Sequence, residues 1–262
     1  MKKYLLLFCF ITAVIFLGCG KGKVSVTLAG STAFQPFAEK IADEYMKANP
    51  NITITVQGGG SAVGIQSANS GAAQIGMADL VKLPDEAKEL TPTVVAQDGI
   101  AIIVNPKNKI ENLSTEQLRD VFNGKIKNWK EVGGSDAPIT VVSREAGSGT
   151  RSSFEKIVTG IKLVDKAVIQ NSNGTIRETV ANDENSIGYI SHGILNEKVK
   201  ALKIDNVECT TESIIAKNYI LVRPIFLLTK GAPEGEVKKF IDYILTDEIQ
   251  TMIKKDGLLP AK

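Results

Sequence analysis

The sequence has few of the residues that build covalent or metal-bound frameworks, with three cysteines and one histidine in 262 residues. Cys9 lies within an apolar leader and Cys19 at its end, so Cys209 is left unpaired, which excludes a disulfide framework or a cysteine metal site. The hydrophobic content of 43% suffices for one large α/β domain or for two of about a hundred residues each. The core alone therefore has to stabilise the fold.

The sequence also lacks an excess of charge of either sign. Lysine and arginine number 31 against 29 acidic residues, and removal of Lys2 and Lys3 with the leader leaves 29 against 29. Proteins that bind nucleic acid or a membrane surface normally have a basic excess or a polybasic run, so no nucleic-acid partner is expected. The pattern Gly-x-x-x-x-Gly-Lys-Ser/Thr is absent, which argues against a P-loop nucleotide enzyme.

The amino-terminal residues have the pattern of a cleaved export signal. Residues 1–3 are Met-Lys-Lys, and the fourteen residues 4–17 that follow carry no charge. A helix that spans a bilayer needs about 20 apolar residues, so this run is too short for a membrane anchor. We therefore predict a signal peptide over residues 1–18.

The junction Gly18-Cys19 resembles the cleavage site of bacterial lipoproteins, where the cysteine thiol receives a diacylglycerol and becomes the new amino terminus. Phe16 stands where that signal normally carries leucine, and an ordinary secretory peptide with an incidental cysteine is the alternative. We predict lipidation of Cys19, which would anchor the protein in a lipid bilayer through a short tether at residues 19–23.

The first part of the chain after the leader predicts a parallel sheet. Residues 24–28 and 51–56 have the alternation of strands, with a helical period between them and a third strand that ends at Asp79. Such a βαβαβ series places its strand-to-helix loops at one edge of the sheet, where α/β proteins bind ligands. These loops consist of small, hydroxyl-bearing or acidic residues, at 30–32, 59–61 and 76–79.

The later part of the chain indicates a second lobe. The long apolar run at 219–229 is interrupted by Arg223-Pro224. Because proline cannot donate to a central ladder of hydrogen bonds, this position suits a crossover between domains. We therefore predict two α/β lobes, the first formed by residues 24–97 and 224–262 and the second by residues 98–223.

Residues 141–151 combine a strand, a tight glycine turn and the start of a helix. The first N–H groups of a helix have no intrahelical partner, so a helix that starts near Ser148 favours an anion. Arg144, at the carboxyl end of the strand, adds a planar fork of donors that suits a tetrahedral oxyanion. The alternative is an ordinary capped turn, with Ser148 or Thr150 as N-cap and Arg144 as a solvated charge.

These motifs resemble those of the extracytoplasmic phosphate-binding proteins that serve phosphate ABC transporters. The most specific of them is the Arg-x-x-x-Ser-Gly-Thr sequence at 144–150. The resemblance implies an α/β, two-lobed type II periplasmic-binding-protein fold, in which each lobe is a doubly wound sheet flanked by helices and the ligand cleft lies between the lobes. It further implies inorganic phosphate as ligand, membrane permease subunits as partners, a location outside the cytoplasm and a monomer. The matching segments are 29–32, 56–61, 75–79, 143–151 and 186–189.

The phosphate contacts of this family carry over to positions in both predicted lobes of this sequence. Some members have an aromatic residue where this chain has Ala33, so only a contact through the main chain of Ala33 would survive. The family leaves open whether Ser31 contributes its hydroxyl. The expected phosphate-binding residues are Ser31, Thr32, Ala33, Ser61 and Asp79 in the first lobe and Arg144, Ser148, Gly149 and Thr150 in the second.

Asp79 makes the prediction specific for phosphate. A carboxylate repels an oxyanion unless the ligand brings a proton, and phosphate near pH 7 keeps at least one P–OH that can donate to Asp79. Sulfate has no such proton, and an uncompensated buried charge costs on the order of 3–5 kcal/mol. At about 1.4 kcal/mol per tenfold, this cost predicts at least about a hundredfold discrimination. The alternative role of Asp79 is a helix N-cap.

The sequence gives less support to functions other than phosphate binding. A serine hydrolase would require Gly-x-Ser-x-Gly, which the Gly-Ser-Gly at 147–149 does not supply, and His192 is the only histidine available as a base. We therefore predict no enzymatic activity, no metal and no cofactor. The same fold could instead bind sulfate or molybdate, or could serve as an adhesive lipoprotein without transport.

Overall fold

Strands and helices alternate along the chain in the computed structural model, which describes residues 23–261. The strands are β1 (Val24–Gly30), β2 (Ile52–Gln57), β3 (Ile75–Asp79), β4 (Leu90–Val104), β5 (Asn112–Leu113), β6 (Thr140–Arg144), β7 (Val168–Gln170), β8 (Ser186–Ser191), β9 (Lys200–Ala201), β10 (Lys203–Ile204), β11 (Val222–Lys230) and β12 (Leu259–Pro260). The helices are α1 (Gln35–Ala48), α2 (Ser61–Ser70), α3 (Thr115–Phe122), α4 (Gly149–Ile157), α5 (Asn173–Asn182), α6 (Thr211–Ile215), α7 (Gly235–Ile244) and α8 (Asp247–Lys255), with 3₁₀ turns at Asp85–Ala87, Trp129–Val132 and His192–Ile194.

The predicted leader lies outside this description, which leaves the signal peptide at 1–18, Cys19 and all but the last residue of the tether at 19–23 as predictions. Within residues 23–261, no helix has the length and apolar character needed to cross a membrane. The remaining cysteine, Cys209, is buried and free.

The first βαβαβ series forms as the sequence predicts. β1 pairs in parallel with β2 on one side and with β3 on the other. Helix α1 has a proline in its first turn, where the missing N–H has no intrahelical partner to lose, and it buries Phe37, Ile41 and Tyr45 on one face. The carboxyl ends of β1 and β3 therefore lie side by side, with the loops that follow them.

The later strands complete a continuous curved sheet in the order β2-β1-β3-β11-β4-β8-β6-β7. β11 lies between β3 and β4 and is antiparallel to both. Beyond that point β4 pairs with β8, and β8 and β6 are parallel, as are β6 and β7. The carboxyl end of β6 is thereby placed beside the start of α4.

The buried apolar side chains form two large cores. One comprises residues from Val26 to Ala96 together with residues from Ile225 to Leu258. The other draws its members from residues 100–221, with Leu259 added from the carboxyl-terminal segment. We call the parts that hold these cores lobe 1 and lobe 2. The exact division at 97/98 and 223/224 remains our proposal, and it is supported by the separation of the two cores.

β4 and β11 are the strands that pass from one lobe to the other. β4 contributes Val95 and Ala96 to the core of lobe 1 and residues 100–104 to the core of lobe 2. Pro224 of β11 lies opposite Gln97 of β4, and the pairing of β11 with β3 starts only at the next residue, Ile225. The missing N–H of the proline thus falls where the sheet passes between the lobes.

Candidate functional site

Asp79 is the centre of a buried hydrogen-bonded cluster at the carboxyl end of β3. Its Oδ1 accepts a hydrogen bond of 2.7 Å from Ser61 Oγ, and its Oδ2 accepts one of 3.1 Å from Thr150 Oγ1. Arg223 Nη1 lies 2.6 Å from the same Oδ2. Ser61 and Asp79 belong to lobe 1 and Thr150 to lobe 2, so three of the predicted residues meet across the lobes. No helix starts directly after Asp79, so the alternative role as a helix N-cap is wrong.

Arg223 is a buried member of this cluster that the sequence analysis did not identify as functional. In addition to Asp79, its guanidinium contacts Asp98, whose Oδ2 accepts from Nε at 3.2 Å and from Nη2 at 2.8 Å. Ser191 Oγ donates to the other oxygen of Asp98 at 2.7 Å. Burial raises the pKa of Asp98, although the positive charge of Arg223 opposes that shift. A charged residue inside an apolar strand was the available signal in the sequence.

Asn173 is the second functional candidate that the sequence analysis missed. Its Nδ2 donates to Thr32 Oγ1 at 3.1 Å and to Thr150 Oγ1 at 3.3 Å, and its backbone N–H also reaches Thr32 Oγ1. Its Oδ1 accepts from the N–H of Ser191, which fixes the orientation of the amide. Because the Thr32 hydroxyl accepts these bonds, its own hydrogen remains free to donate to a ligand.

Arg144 is fully buried and offers one free donor. Its Nε and Nη2 form two hydrogen bonds of 2.8 Å with the carboxylate of Glu145, and Nη2 also approaches the carbonyl of Asn171. Its Nη1 has no hydrogen-bond partner among residues 23–261 and no access to solvent. The alternative of a solvated charge is therefore wrong. A buried donor without a partner is rare in proteins and suits an anionic ligand.

The strand that carries Arg144 is held from the far side by Tyr189. The phenol oxygen of Tyr189 accepts from the backbone N–H of Arg144 at 3.2 Å and lies 2.7 Å from Ser143 Oγ. Burial raises the pKa of Tyr189 to about 12, so the phenol keeps its proton at neutral pH. The position of Arg144 is thus fixed by the core of lobe 2.

The start of α4 presents backbone donors next to Asp79. Ser148 Oγ accepts from the N–H of Arg151 at 3.2 Å, which makes it the N-cap that the alternative interpretation foresaw. The N–H groups of Gly149 and Thr150 donate to no protein acceptor within the part of the chain that the structure describes. These two amides lie at the positive end of the helix dipole and remain available to an anion.

The first loop contributes less directly to this cluster. Ser31 Oγ accepts from the N–H groups of Ala33 at 3.2 Å and Phe34 at 3.1 Å, so the Ala33 amide already has a partner inside its own loop. Thr32 is the residue of this loop that reaches the cluster, through Asn173. The roles proposed for Ser31 and Ala33 therefore stay predictions.

The lobes touch each other around this site. The N–H of Ala62 in lobe 1 donates to the carbonyl of Gly147 in lobe 2 at 3.1 Å. Ser153 Oγ, from α4, donates to the carbonyl of Asp79 and accepts from the N–H of Val81, both at 3.2 Å. The cleft between the lobes is thus closed in this structure.

The groups considered for other chemistry lie elsewhere. The Nδ1 atom of His192, in lobe 2, is 2.7 Å from the carbonyl oxygen of Gly257 in lobe 1, so this ring contacts the carboxyl-terminal segment and not Ser148. Among residues 23–261, no three His, Cys, Asp or Glu side chains are grouped so that they could hold a metal ion.

Comparison with known proteins identifies the family. Residues 19–248 match the model of the PBP superfamily domain. The phosphate-binding protein PstS of Bacillus subtilis is 36% identical over 246 residues, which cover 92% of this chain and 82% of that protein. The chain belongs to the PstS family of phosphate-binding proteins. A PstS of Borreliella burgdorferi is 30% identical and covers the whole chain.

Solved structures agree with this assignment to the PstS family. A substrate-binding protein of Clostridium perfringens crystallised with bound phosphate is 40% identical, covers 91% of this chain and 100% of that one, and superposes with a TM-score of 0.87. An ABC-type phosphate transport receptor of Vibrio cholerae is 34% identical, with a TM-score of 0.74 and coverage of 89% and 99%. The predicted α/β type II binding-protein fold and the absence of enzymatic activity are confirmed by these relatives.

Proposed function

We propose that the protein binds inorganic phosphate outside the cytoplasm and delivers it to the permease subunits of an ABC importer. The observation that carries this proposal is the buried carboxylate of Asp79 placed beside the donors of an anion site. Its relatives are phosphate-binding proteins, one of which was crystallised with phosphate. An acid in an anion site favours a ligand that brings its own proton, as phosphate does near pH 7.

The available donors are sufficient for tight binding. They are the free Nη1 of Arg144, the amides of Gly149 and Thr150, and the hydroxyls of Thr32 and Ser148. With Asp79 as acceptor, six to eight charge-assisted hydrogen bonds of roughly 1.5 kcal/mol each contribute about 9–12 kcal/mol before the entropy of capture and closure. A dissociation constant of about 1 μM corresponds to about 8 kcal/mol, so micromolar or tighter affinity is expected.

Calorimetric titration of the protein without its leader tests the proposal. We expect phosphate to bind at micromolar concentration or below, and sulfate and molybdate to bind at least about a hundredfold more weakly. Phosphate should also raise the melting temperature by mass action on the folded state, whereas sulfate at the same concentration should not. The protein has to be unfolded, dialysed and refolded first, because carried-over phosphate would mask the signal. Equal affinities for phosphate and sulfate would refute the assignment.

The anchor is part of the same proposal, in which acylated Cys19 holds a monomeric protein at the outer face of the membrane. We expect Cys19→Ser to move the protein from the membrane fraction to the soluble fraction, because the acyl chains can no longer be attached. Cys9→Ser is the matched control, since it lies in the leader and should leave the anchor intact. Membrane retention of Cys19→Ser would indicate an uncleaved signal segment.

A further inference from the structure

We propose that Arg223 is a positioning residue that sets the anion selectivity of the site, because it holds Asp79 as a charged hydrogen-bond acceptor. This inference rests on the proposed function, since it concerns how the same site distinguishes phosphate from sulfate. Arg223 is not among the residues expected to touch the ligand. Its effect is therefore exerted through Asp79.

The first step is the geometry of the guanidinium group. Arg223 is fully buried between two buried carboxylates, with Nη1 at 2.6 Å from Asp79 Oδ2 and with Nε and Nη2 directed to Asp98 Oδ2. Because three of its nitrogens are engaged by these two partners, the group cannot turn towards the cleft without breaking an ion pair. Arg223 is thus fixed against Asp79 Oδ2, the oxygen that also accepts from Thr150.

The second step is the count of acceptor positions on Asp79. A carboxylate offers about four lone-pair positions, two on each oxygen. Thr150 and Arg223 occupy those of Oδ2, and Ser61 occupies one on Oδ1. The remaining position is on Oδ1, the carboxylate oxygen that would lie 2.8 Å from a Cβ atom built on Gly149 at the start of α4. The oxygen left to meet a ligand is therefore Oδ1, which lies close to the first residue of α4.

The third step is the set of charges around Asp79. Lobe 2 faces it with the hydroxyls of Thr150 and Ser153, and α2 contributes the hydroxyl of Ser61. Arg144, the other buried arginine of the site, is paired with Glu145. In the described part of the chain, Arg223 is thus the cation in direct contact with Asp79, and it is shared with Asp98.

The consequence concerns the discrimination between anions. A buried carboxylate that loses its cation either takes up a proton or turns towards other donors. In both cases Asp79 would no longer present a charged acceptor to the ligand. A protonated Asp79 could even donate to sulfate, which the charged form excludes. Loss of Arg223 should therefore reduce selectivity, and not merely affinity.

Arg223→Gln and Arg223→Lys form the test pair, with titrations of phosphate and sulfate at one pH. We expect Arg223→Gln to lower the ratio of phosphate to sulfate affinity by about tenfold or more. Arg223→Lys keeps the charge, so its ratio should stay within about threefold of the unmodified protein. Asp98→Asn is the control, because it removes the second carboxylate and leaves the contact between Arg223 and Asp79, so its ratio should also be maintained.

The outcomes separate this inference from the proposed function. The unmodified protein is titrated first, and failure to prefer phosphate would refute the proposed function itself. If that preference is present, an unchanged ratio in Arg223→Gln, or equal weakening of both anions, overturns the role of Arg223. Should Arg223→Gln fail to fold, the double variant Arg223→Met with Asp98→Asn removes the cation together with the carboxylate that needs it. The ratio of phosphate to sulfate affinity should then fall in the double variant as well. An unchanged ratio in the double variant would also refute the inference.

Discussion

Gly149→Ala should weaken phosphate binding by about a thousandfold while leaving the fold intact. A Cβ atom at this position would lie 2.1 Å from Ser61 Oγ, 2.6 Å from the carbonyl oxygen of Asp79 and 2.8 Å from Asp79 Oδ1. The first two of these distances are far shorter than a normal van der Waals contact. The Asp79 carbonyl belongs to the backbone of β3, so it cannot move away as a flexible side chain could. Alanine is a good helix former, so the clash should leave α4 intact. It instead prevents the two lobes from approaching each other.

The magnitude follows from the division of the contacts between the lobes. If the cleft cannot close, the ligand keeps the contacts of one lobe only, which amounts to roughly half of the 9–12 kcal/mol gross contribution. A loss of about 4.5–6 kcal/mol corresponds to a factor of at least about a thousand. Calorimetry measures this loss. In the unmodified protein, closure of the lobes around phosphate should reduce the radius of gyration in small-angle scattering, and Gly149→Ala should abolish this reduction.

Gly174→Ala is the matched control for this substitution. Gly174 also lies in the first turn of a helix, α5, and a Cβ there would come no closer than 3.7 Å, to Ser172 Oγ. Phosphate affinity and the decrease in radius should both be preserved in this variant. If Gly149→Ala bound phosphate within tenfold of the unmodified protein, the site would lie outside the contact between α4 and β3.

Replacement of Arg144 is the second change with a large expected effect. Arg144→Gln removes the free donor Nη1 and the cation that, among residues 23–261, is bonded to Glu145, which leaves an unpaired carboxylate next to the anion. Loss of a buried charged donor costs roughly 1.5–3 kcal/mol, and the partly exposed Glu145 adds repulsion of the anion, so we expect phosphate affinity to fall by about a hundredfold. Arg144→Lys keeps the charge but cannot bind Glu145 through two nitrogens and also donate to a ligand. A loss of at least about tenfold is expected for it.

Titration calorimetry on both variants measures these losses, with urea unfolding to establish that stability is retained. Arg119→Lys serves as the control, because Arg119 forms surface ion pairs with Glu116 and Asp120 on α3. Such pairs contribute little, so phosphate affinity should be unchanged. Unaltered binding in Arg144→Lys would place Arg144 outside the site despite its free donor.

Local patterns in the sequence were sufficient for most of the fold and for part of the site. The βαβαβ series could be predicted from the spacing of apolar residues within each strand and helix. The end of each strand could be predicted from the glycine and hydroxyl-bearing residues that follow it. The helix start at Ser148 was likewise visible locally. Ser148 is the N-cap of α4, and because its oxygen accepts from Arg151, its hydroxyl hydrogen stays available as a donor to a ligand.

Arg223 and Asn173 could not be identified in this way, because their partners are distant in the chain. Arg223 meets a residue 144 positions earlier, and the amide of Asn173 meets the hydroxyl of a residue 141 positions earlier. Such pairs form only once β11 and α5 are packed against lobe 1. Local sequence patterns do not show this packing. The sequence showed only that an arginine interrupts an apolar strand.

The position of β11 inside the sheet affects the order in which the protein can fold during export. β11 lies between β3 and β4, although the chain forms all of lobe 2 before it reaches β11. A nascent chain that leaves the translocation channel amino terminus first exposes the facing edges of β3 and β4 until Lys230 has emerged. Unpaired edges of this kind invite aggregation. The strands β6, β7 and β8 emerge before β11. Lobe 2 can therefore form its sheet before β11 completes the sheet of lobe 1.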